Sequence, residues 1–353
     1  MKLGDVVAHS TSVIDPSNGT ISRYVAGGHM DTDQLKISRW GEIGDGYLGP
    51  AFIRPFQVGD VLYGSRRTYL RKLAVADFDG VCANTTLVLR TSSPNKLIQE
   101  YLPFVTTSQA FHNFSIRESK GSVNPYVNWS DLAKFEFLLP PLQDQEKLAK
   151  LFWALEEYKN ILELQLNNLS LTIQSFTAAW KANHLHEIKN LSEIVEMYQP
   201  KTIMKHELIA NGKYEVHGAN NLLGHYDKFN HSGKTIAIAC RGATCGSVNV
   251  IIGDVWITGN AMVVAPKDLS DLDYFVELLP TIDFKRAISG SAQPQITRSS
   301  LETLTVPFPE PKLRLQFVEE MTLFREARLA INEELYSLEK LLATLKSELI
   351  ETI

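Results

Sequence analysis

Cysteine is scarce: Cys82, Cys240 and Cys245 are the only three in 353 residues. An odd number at scattered spacing excludes a disulfide framework and fits a reducing compartment. Long hydrophobic runs are missing too. No stretch approaches the roughly 18 apolar residues of a membrane span, and the opening Met1-Lys2-Leu3-Gly4-Asp5 has no apolar signal core. The chain is therefore expected to be soluble and cytoplasmic, with no membrane partner. Positive charge is not in excess either, since 35 Lys and Arg face 40 Asp and Glu for a net −5. A uniformly basic nucleic-acid coat is excluded, because counterion release needs clustered cations; any nucleic-acid contact has to be local.

Catalytic signatures are also lacking. There is no Gly-x-x-x-x-Gly-Lys-Ser/Thr phosphate loop. Asn124-Pro125-Tyr126 lacks the second proline of the Asn-Pro-Pro-Tyr motif of amino-methyltransferases, and no Gly-rich nucleotide loop lies upstream. His184-x-His186-Glu187 fits no zinc spacing and falls where a helix gives way to the next domain, so a solvated linker is the expected reading. Cys240 and Cys245 have no two further ligands nearby, which leaves packing as their role. The expectation is a non-catalytic chain with no cofactor or metal of its own.

What is present is an ordinary globular composition, 44% hydrophobic and 21% charged, in a chain long enough for two or three domains. It contains an internal repeat. At one offset of 169 residues, Gly121-Ser122 falls on Gly290-Ser291, Asn124-Pro125-Tyr126-Val127 on Gln293-Pro294-Gln295-Ile296, Leu132 on Leu301 and Pro140 on Pro309. Upstream the offset becomes 188, Leu3-Gly4-Asp5-Val6-Val7 matching Leu191-Ser192-Glu193-Ile194-Val195, so the second copy is shorter there.

Each copy ends in a long helical pattern. Leu148, Phe152, Leu155, Lys159, Leu162, Leu166, Leu169, Ile173, Phe176 and Trp180 alternate spacings of four and three, and Phe317, Met321, Phe324, Arg328, Ile331, Leu335, Leu338, Leu342, Leu345 and Leu349 repeat them. A period of 3.5 held over several heptads keeps one apolar stripe against a partner helix, the pattern of a coiled coil. Either orientation is open from spacing alone, as is pairing between chains; the pseudo-twofold repeat favours an antiparallel pair within one chain. Two amphipathic helices on separate cores would show wider stripes and shorter lengths.

The globular segments read as α+β. Asp60–Tyr63, Leu87–Leu89, Thr235–Ala239 and Met262–Val264 are β-rich, and helices are expected over Lys96–Phe111 and Asp271–Ala287. The architecture expected is two α+β domains, residues 1–140 and 185–308, separated by two long helices, 141–184 and 309–353, that form an antiparallel coiled coil with a pseudo-twofold internal repeat.

Basic residues cluster after one strand in each copy. Ser65-Arg66-Arg67-Thr68-Tyr69-Leu70-Arg71-Lys72 places four cations and an aromatic in eight positions, suited to a phosphate backbone; a solvated loop with local salt bridges is the bland alternative. Arg241-Gly242-Ala243-Thr244-Cys245-Gly246-Ser247 stands in the equivalent place, with glycines that allow close approach and an Arg suited to guanine. A third candidate surface is the loop from Lys120 to Tyr126, with Ser122 and Asn124, and its repeat from Gly290 to Arg298. There Asn124, Gln293 and Gln295 could read adenine edges while Lys120 and Arg298 hold phosphates; a simple turn into the last strand is the alternative.

Two variable domains, each followed by a long helix with a proline-rich entry, resemble the DNA-specificity subunit of type I restriction-modification systems. The likeness covers essentially the whole chain. Leu139-Pro140-Pro141-Leu142-Gln143-Asp144-Gln145 carries it most clearly. Leu62-Tyr63-Gly64-Ser65-Arg66-Arg67 with Asp77-Phe78-Asp79-Gly80-Val81-Cys82 resembles one version of the target-recognition domain. Ile238-Ala239-Cys240-Arg241-Gly242-Ala243 with Ile257-Thr258-Gly259-Asn260-Ala261 resembles another. The second helix entry, Val306-Pro307-Phe308-Pro309-Glu310-Pro311-Lys312-Leu313-Arg314, departs from the pattern by losing the Leu and Asp/Glu-Gln positions, which puts its local contacts in question.

The resemblance implies a restriction-system DNA-binding protein whose recognition domains each read half of a bipartite, asymmetric site in double-stranded DNA. A seam of about 33 residues, about 50 Å at 1.5 Å per residue, would set the unread gap. The resemblance further implies two methylation subunits and restriction/translocase subunits as partners, to which S-adenosylmethionine, ATP and Mg belong, with adenine N6-methylation and cleavage carried out there. The contrasting expectation is a coiled-coil scaffold whose globular domains bind protein or small ligands.

Overall fold

The computed structural model describes residues 1–44, 48–218, 220–290 and 293–349. It divides into two compact units, Met1–Gln165 with Ile331–Ile353, and Leu166–Ala330. Each unit thus takes one stretch of each long helix together with one globular domain.

In the first unit the strands are β1 (Val7–His9), β2 (Arg23–Val25), β3 (Gly41–Glu42), β4 (Phe52–Phe56), β5 (Val61–Gly64), β6 (Leu73–Val75), β7 (Gly80–Ala83) and β8 (Thr86–Thr91). They form two four-stranded sheets, ordered β1-β8-β5-β6 and β3-β2-β7-β4. The first is antiparallel, Leu62 facing Val88 and Ala74; in the second, β2 runs parallel to β7. β5 and β8 bury most of their side chains, because one face meets helices and the other meets the second sheet.

The second unit contains β9 (Ile188–Asn190), β10 (Val195–Tyr198), β11 (Tyr214–His217), β12 (Leu222–Tyr226), β13 (Lys234–Ala239), β14 (Val248–Ile252), β15 (Val255–Ile257), β16 (Ala261–Pro266), β17 (Ile288–Ser289), β18 (Gln295–Ile296) and β19 (Thr305–Pro307). Its main sheet has the order β10-β16-β13-β14, which is the order of β1-β8-β5-β6 with each strand replaced by its repeat partner. The parallel pair β2 with β7 recurs as β11 with β15. The repeat is therefore one of topology as well as of sequence.

Short helices α1 (Leu102–Thr106), α2 (Gln109–Arg117) and α3 (Trp129–Leu132) cover the first sheet. The single helix expected over Lys96–Phe111 is two. Ser108 leaves the helical region and accepts a hydrogen bond from Phe111 N at 3.2 Å, so it caps α2 and breaks the run. Helix α4 is Leu142–Asn183. In the second unit α5 (Leu191–Ile194), α6 (Leu272–Leu278) and α7 (Arg298–Glu302) precede α8 (Pro311–Leu349). The helix expected over Asp271–Ala287 stops at α6, because Pro280 cannot continue it, and a 3-10 turn, Leu279–Thr281, follows.

The two long helices pair antiparallel within the chain. In the first unit Glu156 meets Lys346 and Lys159 meets Glu339. In the second, Phe176 packs on Phe317 and Phe324, and Trp180 on Phe317. Seam positions Phe152, Leu162, Leu338 and Leu342 are buried in the first core, with Leu148, Leu155, Ile331, Leu335 and Leu345 packed at its margin. Phe317 and Met321 are buried in the second, with Ile173, Phe176 and Phe324 at its margin. Leu166 and Leu169 are half-buried, and the side chain of Leu349 and residues 350–353 lie outside the described residues. At 42 and 39 residues the helices are longer than the seam alone, because α4 starts at Leu142 and runs past Trp180 to Asn183, and α8 starts at Pro311, ahead of Phe317.

His112 of α2 is 1% exposed, and neither ring nitrogen has a hydrogen-bond partner among the described residues. Burial, with the nearby charges of Arg71 and Lys346, pushes its pKa down to about 3, against the Asp33 carboxylate that lies 3.8 Å from Nε2. The folded state thus refuses a proton that the unfolded chain accepts below about pH 6.5. Stability from this group is complete above that pH and falls by up to ~1.4 kcal/mol per pH unit towards pH 3. His112→Leu should remove this dependence. Unfolding free energies of wild type and variant from urea titration, compared at pH 7.5 and pH 5, should shift by about 2 kcal/mol in the variant's favour at the lower pH; an unchanged difference would show that His112 is protonated in the fold.

Candidate nucleic-acid interface

In the first unit β5 delivers the basic loop. Ser65 anchors it, its backbone N and its Oγ both donating to Thr85 O, at 3.1 and 2.7 Å. Arg67 and Arg71 adopt left-handed backbone angles, φ 52 and 50, on either side of a 3-10 turn Thr68–Leu70. Non-glycine residues seldom occupy that region. Arg67 is held there by its N–H, which donates to Pro125 O at 2.6 Å, while Val127 N donates to Ser65 O at 2.9 Å and Arg66 bridges Tyr126. The basic loop and the Lys120–Tyr126 loop are therefore one surface.

That second loop is closed by a reciprocal pair, Lys120 N to Tyr126 O at 2.7 Å and Tyr126 N to Lys120 O at 2.9 Å. Gly121, at φ 90, makes the turn that an L side chain would strain.

The second unit repeats the arrangement. Gly242 N donates to Pro294 O at 3.2 Å, Ile296 N to Cys240 O at 2.9 Å, and Arg241 bridges Gln295. Gly242 takes the left-handed angle, φ 84, that Arg67 takes in the first copy. Of the Gly290–Arg298 loop, Ser291 and Ala292 lie outside the described residues.

The candidate side chains divide by what already holds them. Arg66 and Arg241 are exposed, and neither guanidinium has a hydrogen-bond or ion-pair partner among the described residues. Tyr69, Ser122, Asn124, Thr244, Gln293 and Gln295 are exposed beside them. Arg67 donates from Nε to Asn124 Oδ1 at 3.2 Å, which orients both side chains. Lys120 is paired with Asp131 at 2.7 Å, a contact that raises the lysine pKa and lowers that of the carboxyl. Arg298 is paired with Glu302 at 2.8 Å, and Lys72 donates to Gly27 O.

Arg71 is not brought to this surface. It pairs with Asp33 at 2.8 Å, donates to Gln109, and lines a cavity of about 290 Å³ with Glu156, Lys159, Glu339 and Lys346.

Lys285 and Arg286 escaped the sequence reading. They are exposed on a 3-10 turn, Phe284–Ala287, that runs into β17, the partner of the strand carrying Gln295. The adjacent cations are visible in sequence, but a helix was expected there. Among the described residues no cluster of His, Cys, Asp or Glu could hold a metal ion, and no helix is long and apolar enough to cross a membrane.

Comparison with known proteins gives the surface its context. The family described as the type I restriction modification DNA specificity domain matches residues 47–169 and 184–336, most of the chain and both copies of the repeat. The chain is 28% identical over 125 residues to the type I restriction enzyme EcoprrI specificity subunit of Escherichia coli, covering 34% of this chain and 31% of that one. It is 23% identical over 176 residues to the EcoDI specificity subunit of the same organism, covering 50% and 38%. These matches span about a third of the curated relatives' lengths.

Two solved chains share the fold end to end. One is the type I restriction-modification S subunit from M. genitalium, with a TM-score of 0.61, 16% identity and coverage of 100% and 96%. The other comes from work on the assembly and conformational transition of the type I R-M system, with a TM-score of 0.62, 19% identity and coverage of 99% and 96%. None of this favours a coiled-coil scaffold. With the family matched over most of both copies of the repeat, the chain belongs to the type I restriction-modification DNA specificity family.

Proposed function

We propose that this chain is the sequence-reading subunit of a type I restriction-modification complex, acting in the cytoplasm on double-stranded DNA. Each globular domain reads one part of a bipartite site through the paired loops that carry Arg66 and Arg241. The chain positions two methylation subunits and the restriction/translocase subunits, and those partners supply S-adenosylmethionine, ATP and Mg chemistry. The observation that carries the reading is the equivalence of Arg66 and Arg241: both sit on tight loops, both face outward, and both are unpaired among the described residues. A guanidinium held by its backbone and free at its tip is suited to a phosphate or to the O6 and N7 of guanine. Asn124, Gln293 and Gln295 flank these arginines as candidate base readers, with Arg67, Tyr69, Ser122 and Thr244 beside them. Lys72, Lys120 and Arg298 would have to exchange an internal partner for a phosphate.

The test is duplex binding by the full chain purified with its methylation subunits, on the site found by comparing adenine methylation with and without this gene. Arg66→Ala and Arg241→Ala should each weaken binding about 5- to 100-fold and reduce the salt slope by about one contact if the partner is a phosphate. Unchanged binding by both variants, or loss of the gene without loss of a methylated motif, would overturn the proposal.

A further inference from the structure

At the tip of the first unit's Lys120–Tyr126 loop stands Val123, 83% exposed. Among the described residues no large apolar side chain is more exposed. Isolated surface hydrophobes are common and need no explanation, but this one is placed in an unusual setting. The loop is pinned at its base by the Lys120–Tyr126 pair and at its shoulder by Arg67 N to Pro125 O. Arg67 also donates to Asn124, the residue next to Val123. The one lysine of the loop is turned away into the Asp131 pair.

The tip, Ser122-Val123-Asn124, is thus an uncharged projection on the loop that bridges, through Tyr126, to Arg66. A charged duplex would be met at its backbone by the arginine, leaving the valine to face base edges. The major groove offers one apolar group, the C5-methyl of thymine.

Resting on the function proposed above, we infer that Val123 is a specificity-determining residue that packs on the methyl group of a thymine in the first domain's half-site. The half-site contains a thymine whose methyl is read, and the neighbouring Asn124, fixed by Arg67, contacts the adjacent base.

The experiment replaces each thymine of the half-site in turn with deoxyuridine, which removes only the methyl. Binding of the full chain with its methylation subunits is then measured for wild type and Val123→Ala. In wild type one substitution should weaken binding about fourfold, the worth of one buried methyl, and Val123→Ala should bind thymine and deoxyuridine equally at that position. The side chain is exposed, so the variant is expected to fold as wild type does.

If no position separates the two proteins, or if Val123→Ala weakens every duplex equally, the thymine contact is wrong; the second outcome would place Val123 against a protein partner or the backbone. If the complex does not distinguish its site from a scrambled duplex, it is the DNA-reading function itself that fails, and the two failures are told apart by that control.

Discussion

Replacing Arg314 with alanine should lower the stability of the second domain by about 3–5 kcal/mol, the cost of breaking a buried ion pair from one side. Arg314 and its partner Asp271 are 11% and 10% exposed at the side chain. The guanidinium donates from Nε to Asp271 Oδ1 at 2.9 Å, approaches the same carboxylate through Nη2 at 2.7 Å, and donates from Nη1 to Pro309 O at 2.5 Å. It also lies 4.0 Å from the centroid of the Phe308 ring. Alanine would leave the Asp271 carboxylate enclosed without a counter-charge, and would free the carbonyl that fixes the entry of α8. Arg314→Ala with Asp271→Ala should be less damaging than the two single effects summed, because the stranded charge is gone. Denaturant titration of the full chain, followed through the fluorescence of Trp180 and Trp256, measures all three; a loss below ~1 kcal/mol for Arg314→Ala would mean that Asp271 finds water or another partner.

The same position shows where sequence reasoning ended. Arg314 is the repeat partner of Gln145, which is fully buried and donates from Nε2 to Pro140 O at 2.7 Å and Lys96 O at 2.6 Å while accepting from Ile98 N at 3.1 Å. Both side chains clamp the entry proline's carbonyl, one with an amide and the other with a guanidinium. The loss of the Asp/Glu-Gln element at the second entry therefore replaces the clamp's chemistry and keeps its task. Residue identity alone hid this, because Asp271 is supplied by a distant turn.

The helix seam was legible because its period is a local property, and so were the central strands β5, β8, β13 and β16, whose unbroken apolar runs follow from burial on both faces. The break at Ser108 was missed although its capping chemistry is local, since the flanking apolar spacing also suits a continuous helix. Of the basic loop, Arg66 and Arg67 face outward beside Asn124, but the placing of Arg71 depends on Asp33 and Gln109. Neither can be read from a run of four cations. The repeat sets the two loops in equivalent places, but the residue-by-residue match of Arg66 with Arg241 comes from their bridges to Tyr126 and Gln295, at an offset the sequence repeat does not supply.

The charged interruption of the seam leads to the second large effect. In the first unit Glu156 and Lys346 meet at 3.1 Å with side chains 7% and 15% exposed, and Lys159 lies 4.0 Å from Glu339. The two pairs run in opposite sequence directions, so they can be made together in one antiparallel register; sliding either helix by one heptad would bury Lys346 or Lys159 without its partner. Buried polar groups at a helix-pair interface specify register at a cost in stability; Lys159 is the seam member here, and Glu156 and Lys346 each lie one residue beside the seam. Glu156→Leu should accordingly destabilise the first unit by about 3–5 kcal/mol, because the Lys346 ammonium is left enclosed near the cations Lys159 and Arg71 that line the same cavity. Glu156→Leu with Lys346→Met removes both charges and should return to within ~1 kcal/mol of wild type or exceed it. The pair of variants separates stability from specificity. If the ions fix register, the double variant should be as stable as wild type yet show broadened cross-helix distances between spin labels on exposed positions such as Glu157 and Lys340. If the distances stay sharp, the apolar seam sets the register unaided, and the buried charges serve the Asp33–Arg71 cavity instead.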